Sequence, residues 1–390
     1  MSHPDPAAAV SRFLAEATAL GPTILALRDE IERERRIPRT LVEALRARGF
    51  FSLWLARAHG GPELDLAGFV RVVEALARFD ASVAWCVANA GGYSRFSGFL
   101  PEPVARRLFV EQRVAIAGAL GPTGRAEPVP GGYRVSGRWP YGSGLPHCDW
   151  VLAGCTVWEG DAPRRTAQGA PDTRVVFFPV EQAEVIDTWH VGGLRGTGSH
   201  DYQVRDLFVP EDHATAGTDP LVPGTLYALP WRTPFGVAIA AVPLGIARAA
   251  LDAAKDLAMA KTPRQGSTVL RDRPVVQAAI GRAEAMLRGA RAFLLEACDE
   301  IWEGVSAGAA ATLEQRAAVR LACAQVAEAT KAVAQTAYEI GGGTAVYESC
   351  PIQRCFRDVH AAAQHVQIQP LGFETGGRVL LGLDPGSPIF

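Results

Sequence analysis

The chain reads as an α+β protein, mainly α, in three parts: an N-terminal helical domain over residues 1–115, a β-barrel or sandwich over 116–215, and a C-terminal four-helix bundle over 216–390. Three observations predict this order. Apolar residues recur at three- and four-residue steps before residue 100 and again after Pro234. Between them, from about Ile116, glycine, proline, valine and aromatic residues become frequent. Within that middle part, Tyr133 to Trp139 alternates as a half-buried strand does.

Taken in order, Leu14, Ala17, Ile24, Leu27 and Ile31 mark a first helix, and Leu41 and Leu45 a second. Pro38 breaks the two apart and Gly49 ends the second. Asp65 starts a helix that runs through Arg78, and another extends from about Ser82 to Gly91, Gly92 and Tyr93. Strands are expected over 133–139, 150–156, 174–179 and 203–209, the last closing the β-domain. Helices then cover 235–259, 275–303, 312–340 and 358–369, joined by short breaks that suit antiparallel neighbours in a bundle.

Composition narrows the function classes. A hydrophobic share of 48%, a charged share of 21% and a net charge of -2 describe a globular protein with no electrostatic pull toward nucleic acid or an anionic membrane. The seven cysteines are odd in number and scattered, with no CxxC pair, so they read as reduced core residues of a cytoplasmic protein. The first residues lack the pattern of a signal peptide, and no uninterrupted apolar run is long enough to span a bilayer. No metal site is expected.

Two glycine-flanked polar stretches in the β-domain could carry chemistry: Arg138-Trp-Pro-Tyr-Gly-Ser-Gly144 and Trp189 to Ser199. Each places a tryptophan beside hydroxyls and open backbone amides, which suits a flat ring with hydrogen-bonding edges. Equally, Trp139 and Trp189 could be core residues and the glycines tight hairpins. His190, His200 and His213 read as exposed loop histidines, and Ser143 lacks a nucleophile elbow. Further on, Gly341 to Gly343 precede a segment with Arg354, Arg357, Asp358, His360 and His365. There Asp358 reads as a helix start, and the arginines suit an ion pair or a phosphate.

Together these stretches resemble the acyl-CoA dehydrogenase superfamily over nearly the whole chain. Leu194-Arg-Gly-Thr-Gly-Ser199, followed by Phe208-Val-Pro-Glu-Asp-His213, is similar to the exit from its β-domain. The glycine corner and Arg357-Asp358 are similar to its last helix junction. Two details resemble one branch, the two-component flavin monooxygenases: Trp139-Pro-Tyr-Gly-Ser-Gly144 matches WxFxSG with Tyr141 in the Phe place, and Arg354 to His365 matches RxxRDxHxxxxH. Medium-chain-type dehydrogenases carry a catalytic glutamate nine residues after the matching arginine; here that position is Val366.

The resemblance implies an oxygenase that takes reduced FMN or FAD from a separate NAD(P)H:flavin reductase. Reaction with O2 would give a C4a-hydroperoxide that hydroxylates or epoxidises a small aromatic substrate. In that scheme Ser143 faces flavin N5 and His365 positions or protonates the peroxide, while Trp139, Tyr141 and Trp189 wall the ring. Gly342 and Gly343 approach the cofactor, and Arg264, Arg273 or Lys261 holds its phosphate. Homotetramers are usual in the superfamily. The helix–loop before the β-domain lacks the histidine found in phenol hydroxylases; Asn89, Tyr93 and Ser94 offer polar contacts and Phe96 and Phe99 a ring face, which suits an indole-like substrate. The other readings are an acyl-CoA dehydrogenase with a displaced base, a nitrogen-hydroxylating flavin monooxygenase, and a catalytically silent binding protein.

Overall fold

The structure, a computed structural model, describes residues 6–264, 266–387 and 390. The chain begins with α1 (Pro6–Glu34), α2 (Arg39–Ala47), α3 (Leu66–Ala77), α4 (Ala81–Tyr93) and the short α5 (Glu102–Ala105). The strands follow: β1 (Ile116–Val129), β2 (Gly132–Gly142), β3 (Trp150–Glu159), β4 (Ala162–Pro163), β5 (Thr173–Pro179), β6 (Glu184–Ile186), β7 (His200–Pro210) and β8 (Ala214–Thr215). The remainder is helical: α6 (Thr225–Ala228), α7 (Thr233–Ala260), α8 (Pro274–Ser306), α9 (Leu313–Gly341), α10 (Pro351–Ala362) and α11 (Leu371–Leu380).

Local chemistry explains most of the boundaries. Gly49 stops the α2 region at a left-handed φ of 81°. Asp80 accepts hydrogen bonds from the amides of Ser82 and Val83, which starts α4. Thr312 and Gln315 form a capping box at the start of α9. The strands run in the order β6-β7-β2-β1-β3-β5-β8, with β4 paired to β3. Only the β1–β3 pairing is parallel among the described strands.

The two helical blocks share one hydrophobic core. Trp54 stacks on Phe69 at 4.0 Å between ring centroids and meets Phe235 of α7 edge-on at 6.5 Å. By length and composition α1 and α7 could each cross a membrane, which the sequence reading did not expect. Instead α7 is packed on all sides by α3, α4, α9 and α10, and most of it is buried. A second core, built on Val135, Trp139, Val151, Phe178 and Tyr202, lies within the β layer.

The last junction differs from expectation. Asp358 does not start a helix; it lies in the middle of α10, which begins at Pro351. Proline's fixed φ and missing N–H suit the first helical position. From α10, Arg354 reaches Asp29 and Arg357 reaches Glu32, both at 2.8 Å on α1. Arg357 also donates to the Gly192 carbonyl. The buried Asp358 carboxylate accepts the amide of Leu194 at 2.7 Å, a residue held at a left-handed φ of 54°. Burial pushes the Asp358 carboxyl up to about 7. These contacts pin the 190–198 turn of the β layer onto the helical body.

Candidate active site

That pinned turn presents hydroxyls to Ser143. Ser143 Oγ lies 2.8 Å from Ser199 Oγ, which lies 2.6 Å from Thr197 Oγ1. Thr197 donates to the Leu194 carbonyl at 2.8 Å, because a carbonyl can only accept. Ser199 therefore donates to Thr197, and Ser143 to Ser199. Trp85 Nε1 donates to Ser143 Oγ at 3.0 Å. One lone pair of Ser143 is left to accept a hydrogen bond from a ligand N–H.

The glycines of the turn serve packing. A Cβ on Gly193 would lie 2.3 Å from the Arg357 carbonyl, and one on Gly196 would lie 2.1 Å from Ile31 Cγ2. They let the turn sit against α10 and α1.

His365 lies against the same Trp85. Its ring meets that of Trp85 edge-on, with centroids 5.7 Å apart. The Gln367 amide donates to His365 Nδ1 at 3.3 Å, so the proton of the neutral ring is on Nε2. Burial pushes His365 down to about 4, which keeps the ring uncharged at neutral pH. Trp85 thus bridges the two residues expected to act on a cofactor. The sequence reading missed it, as well as the contributions of Thr197 and Ser199. Trp85, Asn89 and Tyr93 follow at four-residue steps on one face of α4, a stripe that extends the two residues already named.

The other expected site residues are placed as follows. Tyr141 stands 68% exposed at a φ of 64°, and its ring meets the half-buried Trp189 edge-on at 6.2 Å. Trp189 Nε1 donates to the Leu194 carbonyl. Trp139 does not wall a cleft: it is fully buried in the β core, stacked on Tyr202 at 5.3 Å and bonded to the Gly154 carbonyl. Asn89 is half-buried; it donates to the Trp85 carbonyl and accepts from the Tyr93 hydroxyl.

Phe96 and Phe99 are core residues, not a ring platform. Phe96 is enclosed by Phe99, Phe177, Trp231 and Phe235. Ser94 is fully buried and spends its hydroxyl on the Gly91 carbonyl. Lys261 is tied to the glycine corner, donating to the Gly341 carbonyl and to Thr344, so it is not a free phosphate ligand. Gly342 and Gly343 lie exposed with open space around them, apart from the Ser143 cluster. Arg264 and Arg273 are exposed between α7 and α8, with no hydrogen bond to that cluster. His200 and His213 are buried rather than exposed; His213 stacks on Trp150. No group of three or more His, Cys, Asp or Glu among the described residues could hold a metal ion.

Comparison with known proteins places this geometry. Residues 8–94 match the acyl-CoA dehydrogenase N-terminal domain, and residues 237–370 match a C-terminal domain of the same enzymes. Indole-3-acetate monooxygenase of Pseudomonas putida is 32% identical over 382 residues, covering 95% of this chain and 96% of that protein. The flavin-dependent monooxygenase oxygenase subunit HsaA of Mycobacterium tuberculosis is 28% identical over 396 residues, 96% of this chain and 97% of its own. XiaF from Streptomyces sp., solved with FADH2 and glycerol, superposes with a TM-score of 0.89 at 26% identity, covering 98% of each chain. The chain belongs to the acyl-CoA dehydrogenase family and, within it, to the flavin-dependent monooxygenases.

Proposed function

We propose that the chain is the oxygenase component of a two-component system, receiving reduced FMN or FAD from a separate reductase and oxygenating a small aromatic or heteroaromatic substrate of the indole type. The observation that carries this reading is the Ser143–Trp85–His365 arrangement. The residues fit a reduced flavin: Ser143 retains an acceptor for a ring N–H, and the exposed Tyr141 with the half-buried Trp189 offers aromatic surface. When bound, the reduced flavin would supply two electrons and react with O2, one oxygen atom passing to the substrate and the other leaving as water.

The chain's own residues then act by holding and excluding. Trp85 fixes the Ser143 hydroxyl so that its free lone pair stays available to the ligand. His365, neutral and protonated at Nε2, is a hydrogen-bond donor rather than a cationic acid, so it can steady an oxygen without delivering its own positive charge. The apolar wall of α4 keeps water from the reacting atoms. Asn89 keeps one amide hydrogen and one lone pair free for a polar group on the substrate. Arg264 and Arg273 remain candidates for the flavin phosphate, contributed across a subunit boundary in a homotetramer. Exposed apolar side chains on the bundle, such as Val275 and Met259, support such assembly.

The test mixes the protein and chemically reduced FMN or FAD with isotopically labelled O2, with and without indole-type substrates. A marked delay in the appearance of oxidised flavin, and label in the product, are expected. Immediate flavin oxidation with no labelled product would overturn the reading. In a binding titration, indoles should be preferred over simple phenols.

A further inference from the structure

The hydroxyl chain behind Ser143 is fixed in sense at both ends. At one end stands the Leu194 carbonyl, which can only accept. It takes the Thr197 hydroxyl at 2.8 Å, together with the Trp189 indole N–H and the Thr197 amide. At the other end stands the Trp85 indole, which can only donate, 3.0 Å from Ser143 Oγ. Between these ends the O–H groups all point one way, from Ser143 to Ser199 to Thr197. All three residues are buried, so bulk water cannot replace a partner and let the chain turn round. The Gly144 amide also donates to the Thr197 carbonyl at 2.8 Å, which holds the Ser143 turn against residue 197.

A hydroxyl whose proton is committed is only an acceptor toward a ligand. For a flavin this matters, because N5 carries a hydrogen only when the ring is reduced. In the oxidised ring N5 is a bare lone pair. We infer that Thr197 and Ser199 are positioning residues that set which redox state of the flavin the site holds. By keeping the Ser143 proton turned away, they make Ser143 accept the N5–H of the reduced ring and oppose the lone pair of the oxidised one. This rests on the oxygenase reading and deepens it, assigning the choice of redox state to two side chains behind Ser143. Without the Thr197 hydroxyl the sense of the chain reverses. Ser199, left with no acceptor there, donates to Ser143, and Ser143 donates outward, where it matches the oxidised ring.

The test is an anaerobic equilibrium titration with oxidised and dithionite-reduced FMN and FAD, and with their 5-deaza analogues, in which carbon replaces N5. The wild-type chain should bind the reduced flavin at least about tenfold more tightly, since a buried polar group facing a mismatched partner loses its hydrogen bond. Thr197→Val is β-branched like threonine and keeps the main-chain bonds of residue 197. It should cut the preference by about tenfold or more, lowering the midpoint potential of the bound flavin by about 30 mV per tenfold. Thr197→Ser should keep the preference. Ser199→Ala, which frees the Ser143 proton, should cut it as Thr197→Val does, and serves if that variant does not fold. A ratio of affinities is read, so a general loosening of the site cancels. The 5-deaza analogues offer no N5 in either state, and their preference should not depend on residue 197. A preference unchanged in the folded Thr197→Val or Ser199→Ala protein would overturn the proposal. So would an equal fall in Thr197→Ser or with the 5-deaza analogues. If no flavin binds the wild-type chain in either state, the oxygenase reading fails and takes this with it; if flavin binds but neither variant moves the ratio, this fails alone.

Discussion

Two arginine pairs flank the last turn-rich segment of the chain, and they are bonded in different ways. Arg354 and Arg357 on α10 face acids of α1, and the neighbouring Asp358 holds the Leu194 amide. Arg316 and Arg320 on α9 face no acidic side chain among the described residues: Arg316 donates to the main-chain oxygen of Phe390 and Arg320 to two oxygens of Gln367. One pair ties helix to helix through side-chain carboxylates; the other binds main-chain and amide oxygens. The same side chain at similar helical spacing is structural in both, with different partners.

The largest effect should come from the carboxylate side. Asp358→Ala leaves the buried Leu194 amide without an acceptor and should lower stability by about 2–3 kcal/mol in denaturant unfolding, with Asp358→Asn losing much less. Loosening the 190–198 turn should also misplace Ser199 and reduce product formed per flavin. Swapping the arginines should separate the pairs directly. Arg357→Met should lower stability by about 1–2 kcal/mol, because Glu32 loses its nearer partner and keeps only Arg195 at 3.7 Å. Arg320→Met should lower stability by about 1 kcal/mol or less, because the hydrogen bonds lost from the buried Gln367 oxygens are partly offset by removal of a buried cation.

Acid should sharpen the contrast. His365 and His147 are held down to about 4 by burial, so the unfolded chain gains protons first and stability falls as pH drops from 6.5 toward 4. Asp358, pushed up to about 7, works against this: the folded form takes up a proton between pH 7 and 3.8, which restores stability as pH falls. Asp358→Asn should therefore steepen the acid loss, by about 1 kcal/mol per pH unit. Trp85→Phe removes one neutral hydrogen bond to Ser143 and should cost about 1 kcal/mol, read as roughly fivefold faster unproductive flavin oxidation. Asp29→Asn should change stability by less than about 0.5 kcal/mol, since its side chain is 93% exposed.

The long helices were legible because α7, α8 and α9 carry periodic apolar faces with clear breaks, and the strands because Tyr133 to Trp139 alternates strictly. β1 was not read as a strand: its Gly118, Gly121, Gly124 and two prolines obscure the alternation, and a register shift falls between Ala119 and Gly124. The start of α10 was misread because Asp358 looks like a cap, while Pro351 carried the better signal. Ser143 and His365 came from motif resemblance rather than from spacing. Trp85 escaped because a tryptophan in an apolar helix looks like core until its Nε1 partner is visible. The contact of Arg320 with Gln367 could not be read at all, because their proximity depends on tertiary packing alone.

The bond from Asp358 to Leu194 spans 164 residues. On a ribosome the β layer is synthesised well before α10, so the turn that carries Thr197 and Ser199 is made before the carboxylate that holds Leu194. The hydroxyl relay to Ser143 consequently completes only when the C-terminal helices dock. A chain that stops short of Pro351 lacks both Asp358 and His365, so the site is unfinished in every such product of synthesis.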